Sequence, residues 1–159
     1  MLRDDYIMRM VRRAMAILVK VLGLTKAGQY AEAALIIDLA VEELIGLNAL
    51  LIKTIDDKSV IRLLTVREKL DTGRLYVLAD LIKAEGDVLA AESRTDESLN
   101  RYARALHFYL EVATAEEPPA DPELMAKINE LVKRLTDYPL RPEVISQIQH
   151  HLEERNTHG

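Results

Sequence analysis

All five prolines fall between Pro118 and Pro142, and the first 117 residues contain none. A proline ring removes a backbone donor and clashes with the preceding turn, so helix interiors exclude it. Those 117 residues hold only five glycines, too little turn punctuation for a set of strands. They read as long helices joined by short connections. A chain of 159 residues is one domain's worth. The expectation is a single all-helical domain over 1–159, with a main bundle over 1–117 and a C-terminal helix pair over 118–159. The expected fold class is all-α: an antiparallel bundle of about seven helices with right-handed, repeat-like superhelical character. A hydrophobic content of 49% with 30% charged residues is ordinary globular usage and argues against disorder.

The apolar periodicity places the helices. The first runs from about Asp5 to Leu22, with Ile7, Met10, Val11, Ala14, Leu18, Val21 and Leu22 forming one stripe. Gly23 is the expected residue just past its end, and Gly28 closes the turn. The second helix, about Tyr30 to Gly46, buries Tyr30, Ala33, Ile37, Ala40, Val41 and Leu44. Leu35 and Leu39 lie well off that face, so this helix contacts neighbours, or a partner chain, on two sides. Leu47–Ile55 continues as an apolar tail or a short helix of its own. A third helix is expected over about Ser59 to Leu70. The fourth, about Thr72 to Ser93 with Asp71 or Thr72 as cap, is apolar on two faces and is the expected buried centre. Its small-residue stripe Ala79, Gly86, Ala90 and Ser93 lets another helix approach closely. The fifth runs from about Glu97 to Glu116. The run Glu117-Pro-Pro-Ala-Asp-Pro is the clearest break. Asp121-Pro122 starts the sixth helix as cap and first-turn proline, Tyr138-Pro139 ends it, and Pro142 opens the seventh. Asn156 to Gly159 are expected to fray.

Two segments share a spacing: Tyr30-x-x-Ala33-x-x-x-Ile37-x-x-Ala40 and Tyr102-x-x-Ala105-x-x-x-Tyr109-x-x-Val112. The spacing resembles the second helix of a tetratricopeptide repeat, where alanines admit the preceding helix and larger residues fill the gap. The copies are 72 residues apart, not a clean multiple of the repeat's roughly 34, so chance similarity among antiparallel helices is the competing explanation.

The opening Asp4-Asp5-Tyr6-Ile7-Met8-Arg9, then Leu22-Gly23-Leu24-x-x-x-Gly28-x-Tyr30-x-x-Ala33, resembles an uncharacterised family of small bacterial all-helical proteins. The likeness covers roughly the first 50 residues, and Asp137-Tyr138-Pro139-Leu140-x-Pro142 extends it. The resemblance implies a tetratricopeptide-like helical fold, a bacterial cytoplasmic setting and no catalytic residues to carry over. It also implies a further helix after His151–Gly159.

Chemistry-bearing patterns are scarce. With no cysteine, disulfides, thiolate metal sites and thiol nucleophiles drop out. There is no glycine-rich phosphate loop, G-x-S-x-G, H-E-x-x-H or Glu-x-x-His spacing. Adjacent His150 and His151 point about 100° apart on a helix and read as solvent-facing. His107, one turn before Glu111, reads as a surface His–Glu pair. The paired acids, Asp56-Asp57 among them, read as caps and solvated faces. Tyr30, Tyr76, Tyr102 and Tyr109 either pack with hydroxyls at the surface or line a ligand groove. No catalytic, cofactor-binding or metal-ligating residue is assigned, and no cofactor is expected.

Residues 1–26 hold six basic against two acidic groups, a balance of +4; the remainder holds 15 against 24, a balance of −9. A chain-wide nucleic-acid footprint is therefore absent, and four charges without interleaved aromatics do not make a single-strand site. No run reaches the roughly 18 apolar residues of a membrane span. The sequence is read as a soluble, cytoplasmic, non-enzymatic interaction or scaffold module that binds a protein partner or its own copy, with neither nucleic acid nor membrane as partner. The expected contact residues are Leu35, Leu39 and Phe108, with Arg9 and Arg13 adding charge complementarity. A small-molecule or lipid-binding helical protein, with a cavity lined by Tyr76, Tyr102 and Tyr109, is the alternative, as is an enzyme of unfamiliar pattern.

Overall fold

The computed structural model describes residues 2–115 and 121–158, excepting the side chains of 2–4 and 155–158. Eight helices occupy them: α1 (Leu2–Lys26), α2 (Tyr30–Ile45), α3 (Ala49–Thr54), α4 (Asp57–Leu63), α5 (Thr72–Ala91), α6 (Thr95–Ala115), α7 (Pro122–Arg134) and α8 (Pro142–His158). The all-helical class is as the sequence implies. The expected break at Glu117-Pro118-Pro119-Ala120 lies outside the described residues.

Local chemistry fixes most boundaries. The Asp121 carboxylate accepts from the Glu123 N–H at 3.1 Å, with Pro122 in the first turn of α7. Asp71 caps α5 through the Arg74 N–H at 3.1 Å, and Asp56 caps α4 through Ser59 at 2.7 Å. Gly46 ends α2 in the left-handed region at φ 80°.

Three boundaries differ from expectation. Gly23 lies inside α1 rather than past its end, and Gly28 takes the left-handed turn instead at φ 76°. Ala27 N–H still bonds to Gly23 O at 3.0 Å, so the helix continues through the glycine. Leu47–Ile55 takes the second of its two expected forms, a short helix of its own, α3, capped by Asn48, which makes eight helices among the described residues. The expected helix over Ser59–Leu70 stops at Leu63. A two-residue antiparallel pair follows, Thr65–Val66 against Lys69–Leu70, with Arg67 and Glu68 turning at positive φ. β-branched Thr65 and Val66 favour extended backbone, and Asp71 N–H bonds to Leu64 O at 2.8 Å to lock the hairpin's base. Finally, α8 runs to His158, into residues expected to fray.

Helix α5 is the centre, as its two apolar faces imply. It packs against α6, α2 and α1, while α7 and α8 lie on α6. Leu75, Leu78, Ala79 and Leu81 are almost wholly buried. The small-residue stripe admits α6 at one point: a Cβ on Gly86 would lie 2.6 Å from the Tyr102 ring. Ser98 Oγ donates to the Gly86 carbonyl at 2.7 Å, pinning the two helices. The residues with shared spacing, Ala33, Ile37 and Ala40 on α2 and Ala105, Tyr109 and Val112 on α6, are all buried.

Candidate functional site

A groove of about 890 Å³ lies between α1, α5 and α7. Its α1 wall runs from Ile7 to Thr25, nineteen residues spanning about 27 Å at a rise of 1.5 Å per residue. That wall exists because the apolar arc of α1 is wider than its neighbours can cover. Ala14 and Val21 are buried, whereas Met15, Leu22 and Val19 remain exposed, Val19 at 71%. Exposed apolar residues in a continuous run mark interaction surfaces more often than isolated ones do.

The floor and far wall are polar. Tyr109 donates its hydroxyl to Asp80, and Lys127 Nζ lies 3.1 Å from the same carboxylate. Lys127 also sits over the Tyr76 ring at 4.6 Å, and Tyr76 meets Tyr109 edge-on at 5.8 Å. Burial pushes the Tyr109 phenol far up, and Asp80 adds to it; burial likewise raises Tyr76. Burial opposes the Lys127 charge, but Asp80 overcomes this and raises its pKa. The two tyrosines and the lysine therefore stay protonated at neutral pH. Among lining residues, Asp80, Asp87, Asp121, Glu123 and Glu130 face Lys83 and Lys127, an acidic surplus of three. Arg134 behind the wall answers Glu130 at 3.0 Å and lowers the surplus to two.

A second polar cluster is largely buried, beside a cleft of about 220 Å³ that Asp57, Arg104 and Arg141 help to line. Asp57, only 4% exposed, receives Arg104 Nε at 2.9 Å, His107 Nδ1 at 2.8 Å and Arg141 at 3.2 Å. Arg104 also donates to the carbonyls of Ile52 and Ile55 at 2.9 and 2.8 Å, where a cation suits the C-terminus of α3. His107 Nε2 faces Glu111 at 3.4 Å. Burial opposes the charge of His107, yet hydrogen bonds to Asp57 and Glu111 prevail and push its pKa up to about 9. Burial also opposes the Asp57 charge, and the His107 hydrogen bond with Arg104 beside it brings its pKa below the usual range. The two carboxylates take opposite ring nitrogens, and no group of three His, Asp or Glu converges on a metal among the described residues.

This cluster corrects two readings. His107 is not a surface residue, and Asp57 is not a solvated cap neighbour; each fills the other's need in the interior. Phe108, expected as an exposed contact, is also wrong as a surface residue: it is fully buried. Its polar neighbours on α6, Arg104 and Glu111, make its face look solvated in the sequence alone. Arg104 instead turns inward, its guanidinium 5.5 Å from the Phe108 ring and bonded to Asp57.

The other four expected contacts lie at the surface. Leu35 and Leu39 are 58% and 55% exposed on α2. Arg9 and Arg13 line a cleft of about 340 Å³ between α1 and α2, and Arg13 is paired with Glu43 at 2.6 Å. None of the four lines the large groove. Of the three tyrosines expected around a cavity, Tyr76 and Tyr109 line that groove, but Tyr102 does not. It packs on Gly86 and donates to Asp87 at 2.5 Å, and burial with this bond lifts its pKa to about 12.

Among the described residues no helix is long and apolar enough to cross a membrane. No protein-family description, curated protein or solved structure matches this chain.

Proposed function

We propose that this chain is a non-enzymatic interaction module that receives an amphipathic, basic helix of a protein partner in the groove between α1, α5 and α7. The observation that carries this reading is the exposed strip Met15, Val19 and Leu22 facing an acidic far wall. A groove about 27 Å long accommodates five helical turns, and helix-in-groove recognition uses apolar anchors at i, i+3, i+4 and i+7. The tetratricopeptide-like superhelical character belongs to the same reading, since α2 and α6 present one spacing to α5. The exposed pair Leu35 and Leu39 forms a smaller, separate contact surface.

The test uses a designed, fluorescently labelled helix with leucines on one face and lysines on the other. Saturable, salt-sensitive binding that Val19→Asp removes is expected. Equal binding by the variant, or by a helix with glutamates in place of lysines, overturns the reading.

One observation favours a second reading, an amphiphilic small-molecule site: Tyr76 and Tyr109 both line the groove. Saturation by one equivalent of dodecylamine, without peptide binding, would support that reading instead.

A further inference from the structure

The helix that best fits this groove is part of the chain itself, and we infer that the groove is filled by α1 of a second copy in a two-fold dimer. This rests on the helix-binding reading above and names its occupant. The argument is charge complementarity joined to self-complementarity. Helix α1 carries six basic and two acidic residues, a balance of +4, and no other helix exceeds +1. It also bears an exposed apolar strip, with Arg12 exposed one turn from both Met8 and Met15. The wall it would meet keeps an acidic surplus of two, with Asp121 and Glu123 where α7 begins and Glu123 also 3.6 Å from Lys127.

A two-fold interface places the same patch against itself, so that patch must hold both halves of every interaction. This one does: a basic, apolar α1 on one side of the groove and the groove-facing acids Asp121, Glu123 and Glu130 on the other. Met15, Val19 and Leu22 of each copy then cover one another, and Arg12 of one copy meets Glu123 of its partner. The remaining −9 of the chain attracts the +4 segment of the second copy at long range.

The decisive measurement is molar mass by light scattering after size exclusion, across protein concentration and at two ionic strengths. A dimer of twice the 18.0 kDa chain mass is expected, weaker at high salt. Val19→Asp places an unpaired charge in the apolar contact and raises the dissociation constant by on the order of tenfold or more. Glu123→Lys weakens the dimer, and combining it with Arg12→Glu restores it. Leu35→Asp with Leu39→Asp leaves it unchanged. These positions are exposed, and circular dichroism verifies that each variant retains its helices. A monomer at every concentration overturns the inference. So does a dimer indifferent to Val19→Asp, or one dissolved by the Leu35 and Leu39 changes. A monomer that still binds the basic designed helix sinks only the second copy as occupant; a monomer that binds no helix sinks the groove reading as well.

Discussion

Asp57 and His107, fifty residues apart in the chain, meet at 2.8 Å in the interior between α4 and α6. Arg104 lies beside them on α6 and Arg141 reaches in from the segment before α8. One carboxylate thereby ties together three separate parts of the fold. A buried ion pair adds little net stability when complete, but removing one member strands the others.

Asp57→Ala leaves Arg104 and His107 buried without their acceptor. A loss of about 3–5 kcal/mol in unfolding free energy is expected, read from urea denaturation. A loss under about 1 kcal/mol, the size of a surface change, would show that water or a neighbouring acid takes over the role.

The same cluster sets a pH window. His107 has a folded pKa of about 9 against 6.5 ordinarily. Its protonated form is favoured by folding, so its contribution is complete below about 6.5 and fades as pH rises through 9. Asp57 and Glu111 shift the other way; their contribution is present above the ordinary carboxylate range and is lost as pH falls through their lowered values. Stability is therefore expected to decline on the alkaline side toward pH 9, and more in the native chain than in His107→Gln. Proton NMR of the His107 ring tests this directly, and a midpoint near 6.5 would refute it.

Phe108→Ala is expected to cost about 3–5 kcal/mol, as for a buried aromatic. Leu35→Ala and Leu39→Ala should each stay within about 0.5 kcal/mol, because both side chains are largely exposed. Similar costs at all three positions would contradict the burial of Phe108.

Gly86→Ala tests the contact between α5 and α6. The new methyl would meet the Tyr102 ring, which is held by Asp87 and by Arg134 at 3.0 Å and has little room to yield. Overpacking costs about 1–3 kcal/mol, and the helix-propensity gain of about 1 kcal/mol opposes it. A net loss on the order of 1 kcal/mol is expected by thermal unfolding. A stabilised variant would show that Tyr102 moves aside freely.

Features governed by neighbours along the chain were legible in the residues. Helical periodicity, the caps at Asp71 and Asp121, the glycine after α2 and the two-faced character of α5 are all local, set within a turn or two. Even there, Thr65 and Val66 ended α4 early because a hairpin competes with a helix at β-branched residues. Tertiary structure alone decided which polar residues lie inside. Arg104 and His107 look solvated on a helical wheel, and only the approach of α4 supplies the buried acid that lets them, and Phe108 beside them, turn inward. The groove has the same origin. The wide apolar arc of α1 is visible in its residues, but which part α2 and α5 cover, and that Asp121, Glu123 and Glu130 stand opposite the rest, depends on contacts between segments roughly 100 residues apart.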